Sequence, residues 1–503
     1  MINGCNLSTF DVVNAVKKNL KISVAKTAKY QIENSRKLLE KFIQEEKIIY
    51  GVNTSFGGFV SWLIPNKHAQ KLQENLISAV ATNVGPFLSD DVVRATILVR
   101  LNSLSRGASA LSIENFNKLM DIYNAEIIPC IPSKGSLGAS GDLGPLAYIA
   151  LVATGKWKAK YKGAIVSGKK ALELAKIKPM KLSYKEGLSL INGTSAMTGF
   201  ASILVEDSIN LLKTYQIISC LTFESLKVKK NPFNPVVHKQ KMHPGQQKIA
   251  ENIWELLKSS HMIEEEEEVE KELRKKQSLD PVATEFSIED AYSIRCTPHI
   301  LGPIRDNLKS IESIINNEIN SSSDNPLILT EENDVFHNGH FHGQYISMAM
   351  DQLAIALTTL SNLSDRRIDR FMDKSHSNGL PPFLCKENPG LRLGFMGGQF
   401  MSASLTAENR SLCSPLSIQS LTSTGDFQDI VSLGLVAARR AKEIYDNTAY
   451  IIAFELLCAC QAAEIRGKNQ LSTGTSHAFD CIRKMVPYLS SDQCLTEYLE
   501  ELT

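Results

Sequence analysis

Ile346, Met350, Leu353, Leu357 and Leu360 follow one another at alternating spacings of four and three, the repeat that keeps apolar side chains on one helix face. An alanine-rich stretch over residues 436–465 is comparable. Such stripes read as bundle core rather than cofactor contacts. Strand signals are few and no internal repeat is present, so the expected fold is all-α, a core of long up-down helices with a smaller N-terminal helical and loop region. The expected division is residues 1–185 and 186–503.

The other helical segments are shorter. Residues 8–48 read as two helices, with Ser8-Thr9-Phe10-Asp11 as a start signal. Over residues 67–83, Leu72, Leu76 and Val80 lie four apart and mark the expected buried face. More helix is expected over residues 92–119 and 196–212. The lysine-rich residues 158–181 read as a surface excursion, and residues 186–195 as a loop. The acidic run 264–268, followed by Lys271, Arg274, Lys275 and Lys276, reads as a solvated, internally paired face.

At 503 residues the chain can bury a large core, and a net charge of +1 makes no electrostatic case for nucleic acid or an anionic membrane. Ten scattered cysteines without a Cys-x-x-Cys pair suggest neither a zinc site nor a disulfide framework. The amino terminus lacks a signal-peptide pattern. The most apolar run, residues 449–460, contains Glu455 and is too short to span a bilayer. The expectation is a cytoplasmic protein.

Against this helical background one segment stands out: Ser133-Lys134-Gly135-Ser136-Leu137-Gly138-Ala139-Ser140-Gly141-Asp142-Leu143-Gly144-Pro145. Its glycines let the backbone bend where a Cβ would not. A Walker-type phosphate loop would end in Gly-Lys-Ser/Thr, whereas Gly141 is followed by Asp142, an anion where an anion would bind. A dinucleotide loop should follow a strand, and Ile127-Ile128-Pro129-Cys130-Ile131-Pro132 is broken by two prolines. A flexible turn capping a helix stays open.

The sharper reading is self-modification. If the Gly141 amide nitrogen attacks the Ala139 carbonyl, a five-membered ring closes, and loss of water including the Ser140 hydroxyl leaves an exocyclic methylidene. Gly141 is the unhindered nucleophile, Ser140 carries the leaving hydroxyl, and Ala139 is small enough to permit closure.

Gly138-Ala139-Ser140-Gly141-Asp142-Leu143-Gly144-Pro145-Leu146 resembles the signature of the histidine and aromatic amino-acid ammonia-lyases and 2,3-aminomutases, whose 4-methylideneimidazole-5-one (MIO) forms from Ala-Ser-Gly. Further blocks match in order, from about Tyr50 to Ala463. The resemblance implies a fumarase/aspartase-like helical fold, no metal or nucleotide cofactor, and a homotetramer whose active sites draw on three chains. It places the lid tyrosine loop and the cofactor segment within residues 1–185.

The resemblance also implies roles. Tyr50, in Tyr50-Gly51-Val52-Asn53-Thr54-Ser55-Phe56-Gly57-Gly58-Phe59, matches the lid tyrosine that removes a substrate β-proton; alone, it reads as a packing residue. A phenol of pKa ~10 acting near neutrality needs about 4 kcal/mol of differential stabilisation, and each helix terminus contributes ~0.3–2 kcal/mol. Several positive groups must therefore converge on it. Asn192 matches the asparagine that hydrogen-bonds the MIO carbonyl. Tyr292 matches the tyrosine beside the MIO, and Arg295 the arginine that holds the substrate carboxylate, a task its bidentate fork suits; without that context Arg295 reads as a surface salt bridge. Glu289 stands where histidine-using relatives tend to have glutamine. Asn325 and Phe341 match site-lining positions, and Glu408 and Gln428 match contacts to the substrate amine or proton relay, with buried helix-capping as the bland alternative.

Two departures bear on the substrate. Where histidine- and many tyrosine-using relatives place Ser-His, this chain has Ala79-Val80, and where they commonly have asparagine before Gln428 it has Phe427. An apolar pocket leaves an imidazole or phenol hydroxyl unpaired at ~1–3 kcal/mol, so phenylalanine is the expected substrate, with histidine or tyrosine as alternatives. Val80 as a plain core residue is an equal reading. Ser55, where the family often has glycine, stiffens the lid by ~0.4–1 kcal/mol and tilts the expectation toward some β-amino acid product. A non-catalytic scaffold would lack Tyr50, Ser140, Asn192 or Arg295, and a zinc hydrolase would need His337, His340 and His342 in a helical geometry that their glycine-containing loop does not offer.

Overall fold

The computed structural model describes residues 1–284 and 287–503. Its longest helices are Ser195–Leu226, Thr297–Ile319, Gln344–Met372 and Gly434–Arg466, and its strands are short. The fold is all-α. The expected stripe is real: Ile346, Met350, Leu353, Leu357 and Leu360 are all buried. The chain groups into two compact units, one of Met1–Glu206, Ser310–Gln352 and Pro415–Arg439, the other of Asp207–Lys309, Leu353–Ser414 and Arg440–Thr503.

The first unit opens with the Thr9–Lys17 helix, started by a reciprocal capping box between Ser8 and Asp11. The Lys26–Gln44 helix follows, and its Leu38, Leu39, Phe42 and Ile43 pack with Ile49, Val52 and Ile328. The Asp90–Leu104 helix is buried all round from Val92 onward, including Arg94 and Arg100, as a central helix must be.

Four local expectations are corrected. In the Ala69–Val80 helix the buried face is Ala69, Gln73 and Ile77, while Leu72, Leu76 and Val80 are only half-buried. The apolar periodicity missed this because a glutamine occupies the core position. Residues 186–195 are not simply a loop: Glu186–Ile191 is a fully buried helix, too short to show a period. Ile128–Pro129 pairs with Lys158–Tyr161, which pairs with Ala164–Ser167. Pro129 is tolerated because its strand lies at the sheet edge, and the lysine-rich excursion is this hairpin followed by the Gly168–Leu174 helix. Pro132–Lys134 pairs with Val84–Phe87 in a second short ladder.

In the second unit Glu455, inside the apolar run, is fully buried and fully engaged. It accepts from Tyr215 Oη (2.8 Å), Thr222 Oγ1 (2.8 Å) and Ser364 Oγ (2.6 Å), and pairs with Arg367 at 3.3 Å. A buried charge survives only with such partners. The helix carrying it, Gly434–Arg466, is longer than the run read from sequence and passes a length-and-composition test for crossing a membrane. Most of its apolar stretch is buried inside the protein, as in a core helix. The acidic run forms the solvated Glu266–Lys275 helix, with Glu270–Arg274 and Glu272–Lys275 pairs.

Candidate active site

The glycine-rich segment is a tight turn held by backbone bonds. Gly138, Ser140 and Gly141 have φ of +80°, +54° and +79°, a region glycine enters freely and serine at a cost. Gly141 N donates to Gly138 O at 3.3 Å, Gly193 N donates to Ser140 O at 3.2 Å, and Asp142 N donates to Gly193 O at 2.8 Å. A Cβ on Gly141 would lie 2.2 Å from Gly193 O. One on Gly193 would lie 2.4 Å from Ser323 Oγ and 2.6 Å from Arg100 Nη1. Backbone from distant segments is thus in direct contact.

Asp142 turns inward, and its Oδ2 accepts from Met197 N at 2.8 Å in the first turn of the Ser195–Leu226 helix. The anion site at that helix N-terminus is therefore filled by the protein's own carboxyl. Burial is the main influence on Asp142 and pushes its pKa up to about 7, against the lowering effect of the Met197 and Ala196 N–H groups and Ser136. A folded-state pKa raised from 3.8 gives stability that is present below that value and lost as pH rises toward 7. The Tm of wild type relative to Asp142→Asn is therefore expected to fall between about pH 4 and 7, by the equivalent of up to about 4 kcal/mol. A pH-independent difference would contradict this.

Beneath the turn, Lys185 Nζ pairs with Asp324 at 2.5 Å, both fully buried. Arg100 donates to Ser189 O, and burial lowers its pKa to about 10 against the attraction of Asp324.

Tyr50, Ala139, Ser140, Asn192, Asn325, Phe341, Phe427 and Gln428 line one cavity of about 500 Å³, a size suited to a small organic ligand. Asn192 ends the Glu186–Ile191 helix, and its buried Oδ1 has no partner. Gln428 Nε2 donates to Ser140 Oγ at 3.2 Å. Asn325 Oδ1 accepts from Asn338 N at 2.7 Å. Phe427 is half-exposed. Tyr50 Oη accepts from Gly57 N at 3.2 Å, its ring meets Phe56 edge-on, and its own N–H donates to His337 Nε2 at 3.1 Å. Burial raises the Tyr50 pKa, and the Gly57 N–H only partly opposes it.

The remaining sequence candidates do not line this cavity. Val80 is the last residue of its helix. Glu289, Tyr292, Arg295 and Glu408 belong to the second unit. There Arg295 pairs with Glu289 at 2.8 Å and lies over the Tyr292 ring, with its Nε buried and unpartnered. Tyr292 is 70% exposed. Glu408 is exposed on the Met396–Leu412 helix, so it is not a buried cap. His337 and His342 line the cavity but His340 does not, and no metal-holding group of three His, Cys, Asp or Glu occurs among the described residues. Sequence reasoning missed His337 as the acceptor for Tyr50 N–H, a contact across 287 positions that no local pattern announces.

The chain is 40% identical over 499 residues to a histidine ammonia-lyase of Natranaerobius thermophilus, covering 99% of this chain and 95% of that protein. It is 41% identical over 476 residues to a tyrosine ammonia-lyase of Cupriavidus metallidurans, covering 94% and 89%. The solved phenylalanine aminomutase of Pantoea agglomerans superposes with a TM-score of 0.97 at 55% identity, covering 99% and 97%. The family model for aromatic amino acid lyases matches residues 7–484, and the chain is an enzyme that belongs to the aromatic amino acid lyase family.

Proposed function

We propose that the enzyme eliminates ammonia from L-phenylalanine to give trans-cinnamate and returns part of it as β-phenylalanine, using MIO formed from Ala139, Ser140 and Gly141. The observation that carries this reading is the single cavity in which Tyr50, Ser140 and Asn192 meet beside Phe341 and Phe427.

The residues fit such a group. Ser140 and Gly141 are already bent into the left-handed region, Gly141 sits where no Cβ has room, and the Gly193 N–H already donates to the Ser140 carbonyl at 3.2 Å. Asn192, Gln428 and the Gly193 N–H would hold the group, which when formed supplies an electrophilic carbon for the substrate amine. Phe341 and Phe427 offer the substrate ring apolar surface. Tyr50 presents its phenol oxygen as the acceptor for the substrate β-proton.

Within one chain that phenol is poised the wrong way. At a pKa of about 10, roughly one phenol in a thousand is ionised at pH 7, and burial lowers that further. The deficit supports a homotetramer in which other copies complete each site. Exposed Tyr292 beside Arg295 is suited to delivery into another copy's cavity, with Arg295 taking the substrate carboxylate, Glu289 steadying it and Glu408 near the amine. Exposed Phe59, Trp62 and Leu63 on the lid are apolar surface for such an assembly to cover.

Relative rates on phenylalanine, tyrosine and histidine test the substrate. The expected preference for phenylalanine is roughly ten- to a hundredfold. The histidine ammonia-lyase relatives at 40% identity favour a second reading, and a clear histidine preference with urocanate as product would establish it instead. Cinnamate and ammonia alone, without β-phenylalanine, would remove the aminomutase part.

A further inference from the structure

Gln73 is fully buried at a core position of the Ala69–Val80 helix, where an apolar residue would be less costly unless the amide were satisfied. Its Nε2 donates to Gly51 O and its Oε1 accepts from Leu188 N, both at 2.9 Å. Gly51 directly follows Tyr50. Leu188 N is one of the first-turn donors that a helix leaves free, and the N-cap of that helix, Lys185, has no capping side-chain bond. The same six-residue helix ends at Asn192.

The approach is close on both sides. A Cβ on Gly51 would lie 2.7 Å from Leu188 Cδ2, and one on Gly187 would lie 2.9 Å from Gln73 Cβ. The Tyr50 peptide is thus held from two directions, with its N–H on His337 and the next carbonyl on Gln73.

We propose that Gln73 is a positioning residue that fixes the lid tyrosine relative to Asn192, because one carboxamide ties the backbone beside Tyr50 to the helix that ends at Asn192. Glutamine is required by the bonding: one end must donate and the other accept. Leucine does neither, and an ionised glutamate only accepts. A protonated glutamate restores both functions. The catalytic consequence rests on the function proposed above, whereas the restraint on the lid does not.

The test compares wild type, Gln73→Leu and Gln73→Glu as full-length protein. With phenylalanine, Gln73→Leu is expected to lose roughly ten- to a hundredfold in kcat with a smaller change in KM, the usual penalty for a misplaced group, while the near-ultraviolet MIO absorbance stays. Gln73→Glu should be equally impaired at high pH and recover toward wild type as pH falls and its buried carboxyl protonates; Gln73→Leu should not. Amide hydrogen exchange over residues 50–64, read against wild type at each pH, should be faster in Gln73→Leu at every pH and in Gln73→Glu only at high pH. Wild-type kcat and lid exchange in both variants would overturn the inference. So would losses that track only the folded fraction, with no pH-dependent recovery in Gln73→Glu. If wild type turns over no aromatic amino acid, the proposed function fails, and the exchange measurement still decides the role of Gln73.

Discussion

A Ser140→Ala protein is expected to lose three things together: the near-ultraviolet difference absorbance, the mass deficit of two water molecules, and at least about a thousandfold in turnover, about 4 kcal/mol of barrier. The loss should be chemical rather than structural. The turn is fixed by the Gly141 to Gly138 and Gly193 to Ser140 backbone bonds, which alanine keeps. Position 140 is already left-handed at φ +54°, so alanine inherits the serine's strain and adds little. Only the Gln428 Nε2 bond to Ser140 Oγ disappears. Far-ultraviolet circular dichroism and Tm should therefore stay close to wild type. A variant that keeps the absorbance or the mass deficit would end the MIO reading.

The second large effect falls on Tyr50. Tyr50→Phe retains the edge-on contact with Phe56 and the backbone bond to His337, and removes only the oxygen that accepts from Gly57 N. Turnover should fall by ~10²–10⁴, the range for losing a positioned general base, with the MIO absorbance intact. The rise of kcat/KM with pH that reports phenolate formation should vanish in the variant. Because burial raises the phenol's pKa within a single chain, that rise should lie near neutrality only if the proposed tetramer forms. Wild-type activity with no rising limb that Tyr50→Phe abolishes would assign the proton to another group.

Much of this was legible before any coordinates. The stripe from Ile346 to Leu360 needed only the helical period, because apolar side chains there meet other apolar side chains. Gln73 defeated the same reasoning: hydrogen bonds to two backbone groups make a polar residue acceptable in the core, and the neighbouring Leu72, Leu76 and Val80 then look like the buried face. The Glu186–Ile191 helix stayed hidden because six residues hold too few turns for a pattern. The sequence suggests that Asp142 repels an anion, whereas its own carboxyl fills the site at a helix N-terminus. Tyr50, Asn192 and Gln428 were found through motif resemblance, and the cavity that gathers them joins segments hundreds of positions apart. Periodicity carries no information about such distances, and for the same reason it was silent on His337.

The contact of Gly141 with Gly193, and of Gly193 with Ser323 and Arg100, sets an order in time. A nascent chain that has emerged only as far as the Ala-Ser-Gly triplet has just the local Gly141-to-Gly138 bond to hold the turn. The clamp is complete only after translation passes residue 323. The proposed formation of MIO would therefore be a late event in biosynthesis, and ribosome-bound fragments ending before that point should carry an unreacted triplet.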